Sequence, residues 1–180
     1  AKSGQWWVTD PHRALANNSA CYTRTPDIGL FMHEWKSLFD SKSGERGIFN
    51  RKSAKDKAAE NGRRNVDFDF GTNPCSEIIL RPYQFCNLTE VVVRGADTPS
   101  SLKAKVRLAT ILGTFQSTLT DFKYLRKIWK DNTEEERLLG VSLTGIMDNH
   151  YTNLPTADFL KKLRQTAVDV NKELAKKLKI

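Results

Sequence analysis

The chain has 180 residues, of which 39% are hydrophobic and 28% are charged, a balance typical of globular domains and not of disordered segments. No apolar run approaches the roughly 20 residues that a membrane-spanning helix needs, and no secretory signal is visible at residues 1–9, so we expect a cytoplasmic protein without membrane contact. The net charge of +8 favours anionic partners such as nucleotides, although the basic residues are not interleaved with the aromatic side chains of a nucleic-acid-binding surface.

The first third of the chain predicts one clear helix followed by weaker elements. Pro26 is expected to open this helix, which should stop near Ser43-Gly44. Its apolar side chains recur at helical spacing and are Ile28, Phe31, Trp35, Leu38 and Phe39. Residues 44–51 predict a turn that leads into a short extended stretch, and the highly charged residues 52–64 predict a surface helix or loop.

The middle of the chain predicts β-structure. Residues 66–70 alternate between apolar and acidic side chains with a period of two, which is typical of a half-buried strand. Residues 77–80 form a short apolar run. Residues 87–94 include three consecutive valines, and β-branched side chains favour strands.

The remainder, about 97–180, predicts helices. Asp97-Thr98-Pro99 is a favourable helix start because the fixed φ of proline suits the first turn. The predicted inner face of this helix consists of Leu102, Val106, Ala109, Leu112, Phe115 and Leu119. Residues 132–135 resemble a capping box and predict a second helix through Leu138-Leu139, interrupted at 143–145.

A last helix is predicted from about Pro155 to Leu178. Its predicted inner face consists of Phe159, Leu163, Ala167, Val170, Leu174 and Leu178. Short strands followed by long helices indicate an α/β fold, with residues 1–180 forming a single segment of it.

The segment with the most chemical potential is Asn73-Pro74-Cys75-Ser76-Glu77-Ile78. If it is extended, a period of two places Asn73, Cys75 and Glu77 on one side, where an amide, a thiol and a carboxylate could reach one small substrate. Spacing alone leaves open the alternative that Cys75 is a small buried hydrophobe and Glu77 a solvated residue.

A second cysteine strengthens the functional interpretation. Cys86 opens the next predicted strand after a turn-like Arg81-Pro82-Tyr83, and a hairpin would bring two thiols into one pocket. The cysteines form no CxxC pair and the histidines are not spaced like zinc ligands, so we predict no metal site.

The same residues carry a family resemblance. The finger loop of the ribonucleotide reductase catalytic subunits resembles Gly71-Thr72-Asn73-Pro74-Cys75-Ser76-Glu77-Ile78 followed by Gln84-Phe85-Cys86-Asn87-Leu88. The short interval between the cysteines resembles the adenosylcobalamin-dependent (class II) type in particular. The resemblance continues through 41–49 and 135–145, so it covers most of the chain.

The resemblance implies both a fold and a cofactor. The fold is part of a ten-stranded α/β barrel, with a central finger loop at about 71–87 followed by the long helices. The cofactor is adenosylcobalamin, whose deoxyadenosyl radical would take a hydrogen atom from Cys75. No residue of the chain is assigned to hold the cofactor.

The resemblance also implies roles for the site residues in deoxyribonucleotide synthesis for DNA replication. The Cys75 thiyl radical would remove the 3′ hydrogen of a ribonucleotide, with Glu77 as general base on the 3′ hydroxyl and Asn73 orienting the substrate. Cys86 would be half of the dithiol that reduces the 2′ position. The implied partners are a ribonucleoside di- or triphosphate substrate, a thioredoxin-type reductant and the remaining reductase segments or chains.

Several parts of the family pattern are not found in this sequence. The second reducing cysteine normally lies far upstream, and the context of Cys21 does not match it, so we interpret Cys21 as a buried or incidental thiol. The phosphate-binding loop is expected just after Ile180, and the C-terminal relay cysteines are absent. Arg46 stands where many relatives have proline, so no site is assigned to that turn. We therefore expect an internal fragment that is inactive in isolation.

Two alternatives stay open. One is a related barrel enzyme of the glycyl-radical type. The other is a noncatalytic basic module that binds nucleic acid or assembles with a partner chain, for which salt-dependent DNA binding that survives Cys75→Ala would be diagnostic.

Overall fold

The computed structural model describes residues 5–15, 19–42, 47–153 and 158–180. The chain divides into two compact units, Ala1–Pro82 and Tyr83–Ile180, which are considered separately below. The predicted helix stop at Ser43-Gly44 and the predicted helix start at Pro155 lie outside the described residues.

The first unit combines short strands with three helices among its described residues. In chain order its elements are α1 (Trp6–Thr9), a 3-10 turn (Pro11–Leu15), β1 (Ser19–Tyr22), α2 (Ile28–Ser41), β2 (Gly47–Asn50), α3 (Arg51–Ala59), β3 (Gly71–Thr72) and β4 (Ile79–Leu80). Strands β1 and β2 are parallel, with Cys21 opposite Phe49, while β3 and β4 form an antiparallel pair. Parallel neighbours need a crossover connection, and α2 lies between β1 and β2 in the chain.

Helix α2 begins slightly later than predicted because Asp27, and not Pro26, determines its start. The Asp27 carboxylate accepts hydrogen bonds from the backbone N–H groups of Gly29 at 2.9 Å and Leu30 at 3.1 Å. These bonds satisfy two of the four N–H groups that a helix start leaves without a helical partner. Three of the predicted apolar side chains, Ile28, Trp35 and Phe39, are exposed.

The charged stretch after β2, for which we predicted a surface helix or a loop, forms a surface helix over its first part. Helix α3 is capped by Asn50, whose side chain accepts from Ser53 N–H at 3.0 Å, and it buries only Ala54 and Ala58. A highly charged sequence with two small residues on one side can cover a surface without forming a core of its own.

The predicted strand at 66–70 is wrong, although its alternation of burial is real. Phe70 is fully buried and Phe68 half-buried, while Asp67 and Asp69 are exposed. No strand pairs with this segment among the described residues. Instead, the Nε–H of Arg51 donates to the Phe70 carbonyl oxygen at 2.8 Å, so a side chain takes the place of a neighbouring strand.

In the second unit, one helix packs against a parallel strand pair and a second helix packs against the first helix. Its elements are β5 (Asn87–Val92), α4 (Pro99–Gln116), α5 (Lys127–Glu136), β6 (Leu139–Thr144), a 3-10 turn (Ile146–Asp148) and α6 (Asp158–Leu178). Asn87 lies opposite Leu139 at one end of the β5–β6 pair, and Val92 lies opposite Thr144 at the other. The buried core consists of Val91, Val93, Leu102, Val106, Ala109 and Leu163.

The predicted start of α4 is confirmed, but its predicted inner face is only half right. Thr98 and Ser101 form a reciprocal capping box, and proline occupies the first turn. Leu102, Val106 and Ala109 are buried as predicted, whereas Leu112, Phe115 and Leu119 are exposed. The buried stripe continues instead through Thr110, Gly113 and Thr114. Gly113 lets the helix lie close to Leu139 of β6 and Thr89 of β5, and the Thr114 hydroxyl donates to Asn171 of α6 at 2.9 Å.

The helix predicted to begin at 132–135 is wrong. Helix α5 ends at Glu136, and Leu139–Thr144 is strand β6, which ends before Gly145 in the left-handed region at φ 78°. Asn132 and Thr133 are buried and bind the segment before β5, so they do not cap a helix. Pairing with β5 overrides the helical spacing of Leu138 and Leu139.

The last helix and its inner face are confirmed. Leu163 and Val170 of α6 are buried, and Phe159, Ala167, Leu174 and Leu178 are half-buried. None of the helices in the described residues is long and apolar enough to cross a membrane. The strands described here form three two-stranded sheets, so the ten-stranded α/β barrel stays a prediction.

Candidate functional site

The predicted site segment forms the tip of the β3–β4 hairpin. Gly71 pairs with Leu80 and Thr72 with Ile79, which leaves 73–78 as the connection. Asn73 closes this connection twice, because its backbone N–H donates to the Ile78 carbonyl at 3.3 Å and its side-chain Oδ1 accepts from the Ile78 N–H at 2.9 Å. The Asn73 side chain therefore has a structural function that spacing did not predict.

The tip is a turn and not the extended segment that we predicted. Ser76 N–H donates to the Asn73 carbonyl at 3.0 Å, and Ser76 has a φ of 66°, in the left-handed region. The hydroxyls of Thr72 and Ser76 lie 3.3 Å apart. These contacts bend the backbone around Pro74 and Cys75, so the period-two argument for a common face does not apply.

The turn nevertheless presents the predicted chemical groups at one place. Cys75 and Glu77 are exposed, and Asn73 is half-buried. The alternative that Cys75 is a small buried hydrophobe is thus wrong, while a solvated Glu77 is compatible with either interpretation. An exposed thiol, a carboxylate and an amide lie within five consecutive residues.

The base of the hairpin is anchored by a buried cation. Arg81 is only 3% exposed, and its guanidinium carbon lies 4.2 Å from the centre of the Phe68 ring. Arg64 lies over the Phe70 ring in the same manner, at 4.9 Å. Aromatic faces attract cations most strongly where water is excluded, so the Arg81–Phe68 contact holds the end of the hairpin against the 66–70 segment, while the Arg64–Phe70 contact is local to that segment.

The other predicted reducing thiol lies in the second unit. Cys86 is half-buried and unbridged, directly before β5, and it lines a groove of about 660 Å³. Among the other residues of the groove are Phe85, Asn87, Ser117, Phe122, Lys123 and Tyr124. The hairpin predicted to join Cys75 to Cys86 is not formed, because β4 pairs with β3 and β5 pairs with β6. The proximity of the two thiols stays a prediction.

Sequence reasoning missed the residues that surround Cys86. Gln84 and Thr133 are buried polar residues. The Gln84 side chain donates to the Asn132 carbonyl, and the Thr133 hydroxyl accepts from the Phe85 N–H. The Phe85 ring stacks on Trp129 with ring centres 4.7 Å apart. The polar residues at 132–135 include the two that bind the segment before β5, but their similarity to a capping box led us to interpret them as a helix start. Helix ends and buried contacts can use the same residue types.

Cys21 is exposed, in strand β1, so the interpretation as a buried thiol is wrong. Its assignment as an incidental thiol stays a prediction. Among the described residues, no group of three or more histidine, cysteine, aspartate or glutamate side chains is arranged to hold a metal ion.

A separate polar cluster organises the opposite end of the β5–β6 pair. The ammonium of Lys105 donates to Asp97 at 2.6 Å, and with further hydrogen bonds from Ser101 and the Arg94 N–H it lowers the pKa of Asp97 to about 2. The buried Asn149 amide donates to the carbonyls of Arg94 at 2.8 Å and of Asp97 at 2.9 Å. This cluster fixes the loop between β5 and α4.

Comparison with known proteins reveals similarity to long bacterial enzymes. The chain is 32% identical over 142 residues to the adenosylcobalamin-dependent ribonucleoside-triphosphate reductase of Lacticaseibacillus paracasei, a match that covers 76% of this chain and 18% of the relative. The enzymes of the same name from Lactobacillus acidophilus and Lactobacillus leichmannii are 33% identical over 143 residues and 29% identical over 147 residues, and the matches cover 18% and 19% of those relatives. No family model and no solved structure matches the chain.

These relatives confirm the resemblance that the finger-loop residues carry. Over about three quarters of its length, the chain is homologous to a segment of the ribonucleotide reductases. The particular relatives are of the adenosylcobalamin-dependent type, as the short interval between Cys75 and Cys86 indicated. The chain spans only about 18% of the length of the curated relatives it matches.

Proposed function

We propose that this chain is the segment of an adenosylcobalamin-dependent ribonucleoside-triphosphate reductase that carries the radical thiol. The proposal includes the α/β barrel, with the β3–β4 hairpin as its finger loop, and a cytoplasmic role in supplying deoxyribonucleotides for DNA replication. The observation that carries it is the hairpin tip, where a homologue of these reductases presents an exposed Cys75 between Asn73 and Glu77.

The exposed thiol fits the cofactor named for the relatives. A radical cofactor needs a hydrogen-atom donor that it can reach, and Cys75 lies on an exposed turn. No described residue is assigned to hold the corrin. When bound, adenosylcobalamin would supply the radical that takes the hydrogen atom from the Cys75 sulfur.

The hairpin residues would then act on the ribose. The Cys75 sulfur radical takes the 3′ hydrogen, and the exposed Glu77 carboxylate accepts the proton of the 3′ hydroxyl. Asn73 uses its Oδ1 to bind the Ile78 N–H, and its amide NH₂ is the group that would donate to the substrate. One side chain thereby shapes the loop and orients the ribose.

The reduction also requires two electrons from thiols. The 2′ hydroxyl leaves as water with a proton from one thiol, and the 2′ carbon receives a hydrogen in its place. Cys86 and a second thiol, supplied by another segment of the reductase, provide the two electrons and two protons for this exchange and become a disulfide, and Glu77 returns its proton to the 3′ oxygen. The hydrogen atom held by Cys75 returns to the 3′ carbon, which restores the sulfur radical. A thioredoxin-type dithiol then reduces the disulfide by thiol–disulfide exchange.

The decisive experiment compares Cys75→Ser with Cys21→Ser in the complete enzyme. Both cysteines are exposed and unbridged in this structure, so Cys21→Ser is a matched control for loss of a surface thiol. A serine hydroxyl does not replace a thiol as the hydrogen-atom relay, so we expect no deoxyribonucleotide from Cys75→Ser and nearly full activity from Cys21→Ser. A comparable loss in both variants would contradict the assignment of the radical thiol.

A further inference from the structure

The backbone on both sides of Cys86 is held by the region where α5 ends and β6 begins. On one side, the Phe85 N–H donates to Thr133 Oγ1 at 3.3 Å. On the other, the backbone and side-chain N–H groups of Asn87 both donate to the Leu138 carbonyl, at 2.8 and 3.2 Å. The two neighbours of the thiol are therefore fixed to the same part of the second unit.

The contacts before Cys86 extend this attachment. Gln84 Nε2 donates to the Asn132 carbonyl at 3.1 Å and to the Glu136 carboxylate at 2.5 Å, while the Asn132 amide donates back to the Tyr83 carbonyl at 3.4 Å. Gln84, Asn132 and Thr133 are 5%, 7% and 3% exposed. Burying three polar side chains is costly unless they are hydrogen-bonded, and a satisfied buried network is rigid.

Aromatic packing also holds the residue directly before Cys86. The Phe85 ring stacks on Trp129 of α5 at 4.7 Å with an interplanar angle of 29°, and it also packs against Phe122 at 5.1 Å. Because Phe85 directly precedes Cys86, a Phe85 ring held against Trp129 and Phe122 fixes the backbone to which the Cys86 side chain is attached.

From these contacts we propose that Gln84 and Thr133 are positioning residues for the Cys86 thiol. They act through the backbone of residues 83–87, and neither is assigned contact with substrate. The position they fix is the one from which Cys86 faces the groove of about 660 Å³. The part of this inference that concerns catalysis rests on the proposed function, in which Cys86 supplies reducing electrons.

The first test uses the chain with Cys21→Ser and Cys75→Ser, which leaves Cys86 as its single cysteine. The rate of Cys86 alkylation by iodoacetamide is measured in this background alone and with Thr133→Val, Thr133→Ser or Gln84→Met. Thr120→Val is the matched control, because it removes one hydroxyl contact to Glu134 of α5 at 2.6 Å without touching residues 83–87. Urea unfolding of each variant identifies those that remain folded in the assay.

We expect Thr133→Val to be alkylated about fivefold faster, the factor that corresponds to loss of one hydrogen bond of about 1 kcal/mol. Gln84→Met, which loses two hydrogen bonds, should be alkylated at least as fast as Thr133→Val. Thr133→Ser restores the acceptor for the Phe85 N–H and should return the rate to that of the background, as should Thr120→Val. The inference is overturned if folded Thr133→Val and Gln84→Met react at the background rate, or if Thr133→Ser is as fast as Thr133→Val. If one of the two variants fails to fold, the other decides.

The catalytic part is tested in the complete enzyme. Thr133→Val should lower kcat with little change in KM, because Cys86 acts after substrate binding, and Thr133→Ser should recover kcat. An unchanged kcat with faster alkylation would overturn the catalytic part of the inference. Full activity of Cys86→Ser would instead refute the role of Cys86 in the proposed function, while the alkylation result would still decide whether Gln84 and Thr133 position the thiol.

Discussion

Asn73 offers the sharpest test of the candidate site, because one side chain is assigned two separable functions. Its Oδ1 accepts from the Ile78 N–H at 2.9 Å and closes the hairpin tip, and its amide NH₂ is proposed to bind substrate. Asn73→Asp keeps an acceptor oxygen and removes the donor. Asn73→Ala removes both, so the two variants separate loop closure from substrate orientation.

The expected magnitudes follow from the hydrogen bonds involved. Without an acceptor, the half-buried Ile78 N–H loses a bond worth about 1 kcal/mol, so its hydrogen exchange should accelerate about fivefold in Asn73→Ala. Asn73→Asp should exchange at or below the rate of the unmodified chain, since a carboxylate is the stronger acceptor. In the complete enzyme both variants lose the donor, and kcat/KM should fall about 5- to 100-fold in each.

The assays are hydrogen exchange of the Ile78 amide by nuclear magnetic resonance and deoxyribonucleotide formation by the complete enzyme. Unmodified activity in Asn73→Asp would refute the proposed orienting role of the amide. Unchanged exchange of Ile78 in Asn73→Ala would refute the assignment of Asn73 to loop closure.

Three further predictions concern other parts of the chain. Gly145→Ala should destabilise the second unit by about 2–4 kcal/mol, because φ is 78° and an added Cβ would lie 2.7 Å from the Val93 carbonyl oxygen. The control is Gly62→Ala, at φ 61° with open space around it, which should destabilise its own unit by only about 1–2 kcal/mol. Both free energies are measured by hydrogen exchange of peptides from each unit, and equal values would exclude a clash at Gly145. Lys105, with Ser101 and the Arg94 N–H, lowers the pKa of Asp97 from 3.8 to about 2, so the stabilisation from the ionised carboxylate is present above pH 3.8 and is lost as the pH falls through 2. The urea midpoint of Asp97→Asn should therefore lie below that of the unmodified chain at pH 7, and this difference should shrink as the pH falls from 3.8 through 2. A difference that stays constant would contradict this. The chain alone, given adenosylcobalamin, a dithiol and ribonucleotides, should form no deoxyribonucleotide above a Cys75→Ala control, since substrate positioning supplies several orders of magnitude of enzymatic rate.

The elements that sequence predicted well are those whose signals are local. Helix α6 has a long apolar stripe from Phe159 to Leu178, and α4 begins at Thr98-Pro99, where capping groups and proline lie within one turn. The inner face of α4 was harder to predict, because burial of Gly113 depends on β5 and β6 lying close by, and Thr114 binds Asn171 of α6. Which side chains of a helix are buried depends on the elements that pack against it, so a leucine can be exposed and a threonine buried on the same helix.

Strand β6 shows why the rest of the fold could not be predicted. Its residues, 139–144, continue a helical spacing from α5, and only a parallel partner at 87–92 makes the extended form favourable. The converse holds at 66–70, where the alternation typical of a strand is present without a partner strand among the described residues. In both cases a long-range contact, which has no local signal, decided the structure.

The backbone near each of the two proposed redox thiols is held by the same kind of hydrogen bond. At the hairpin tip, the side-chain oxygen of Asn73 accepts the Ile78 N–H, and before β5 the side-chain oxygen of Thr133 accepts the Phe85 N–H. Each bond fixes the backbone near a cysteine without using a regular helix or sheet hydrogen bond. A reaction in which sulfur exchanges a hydrogen atom with a ribose carbon depends steeply on position. Short polar side chains that bind nearby backbone can set that position while they leave the thiol itself available for reaction.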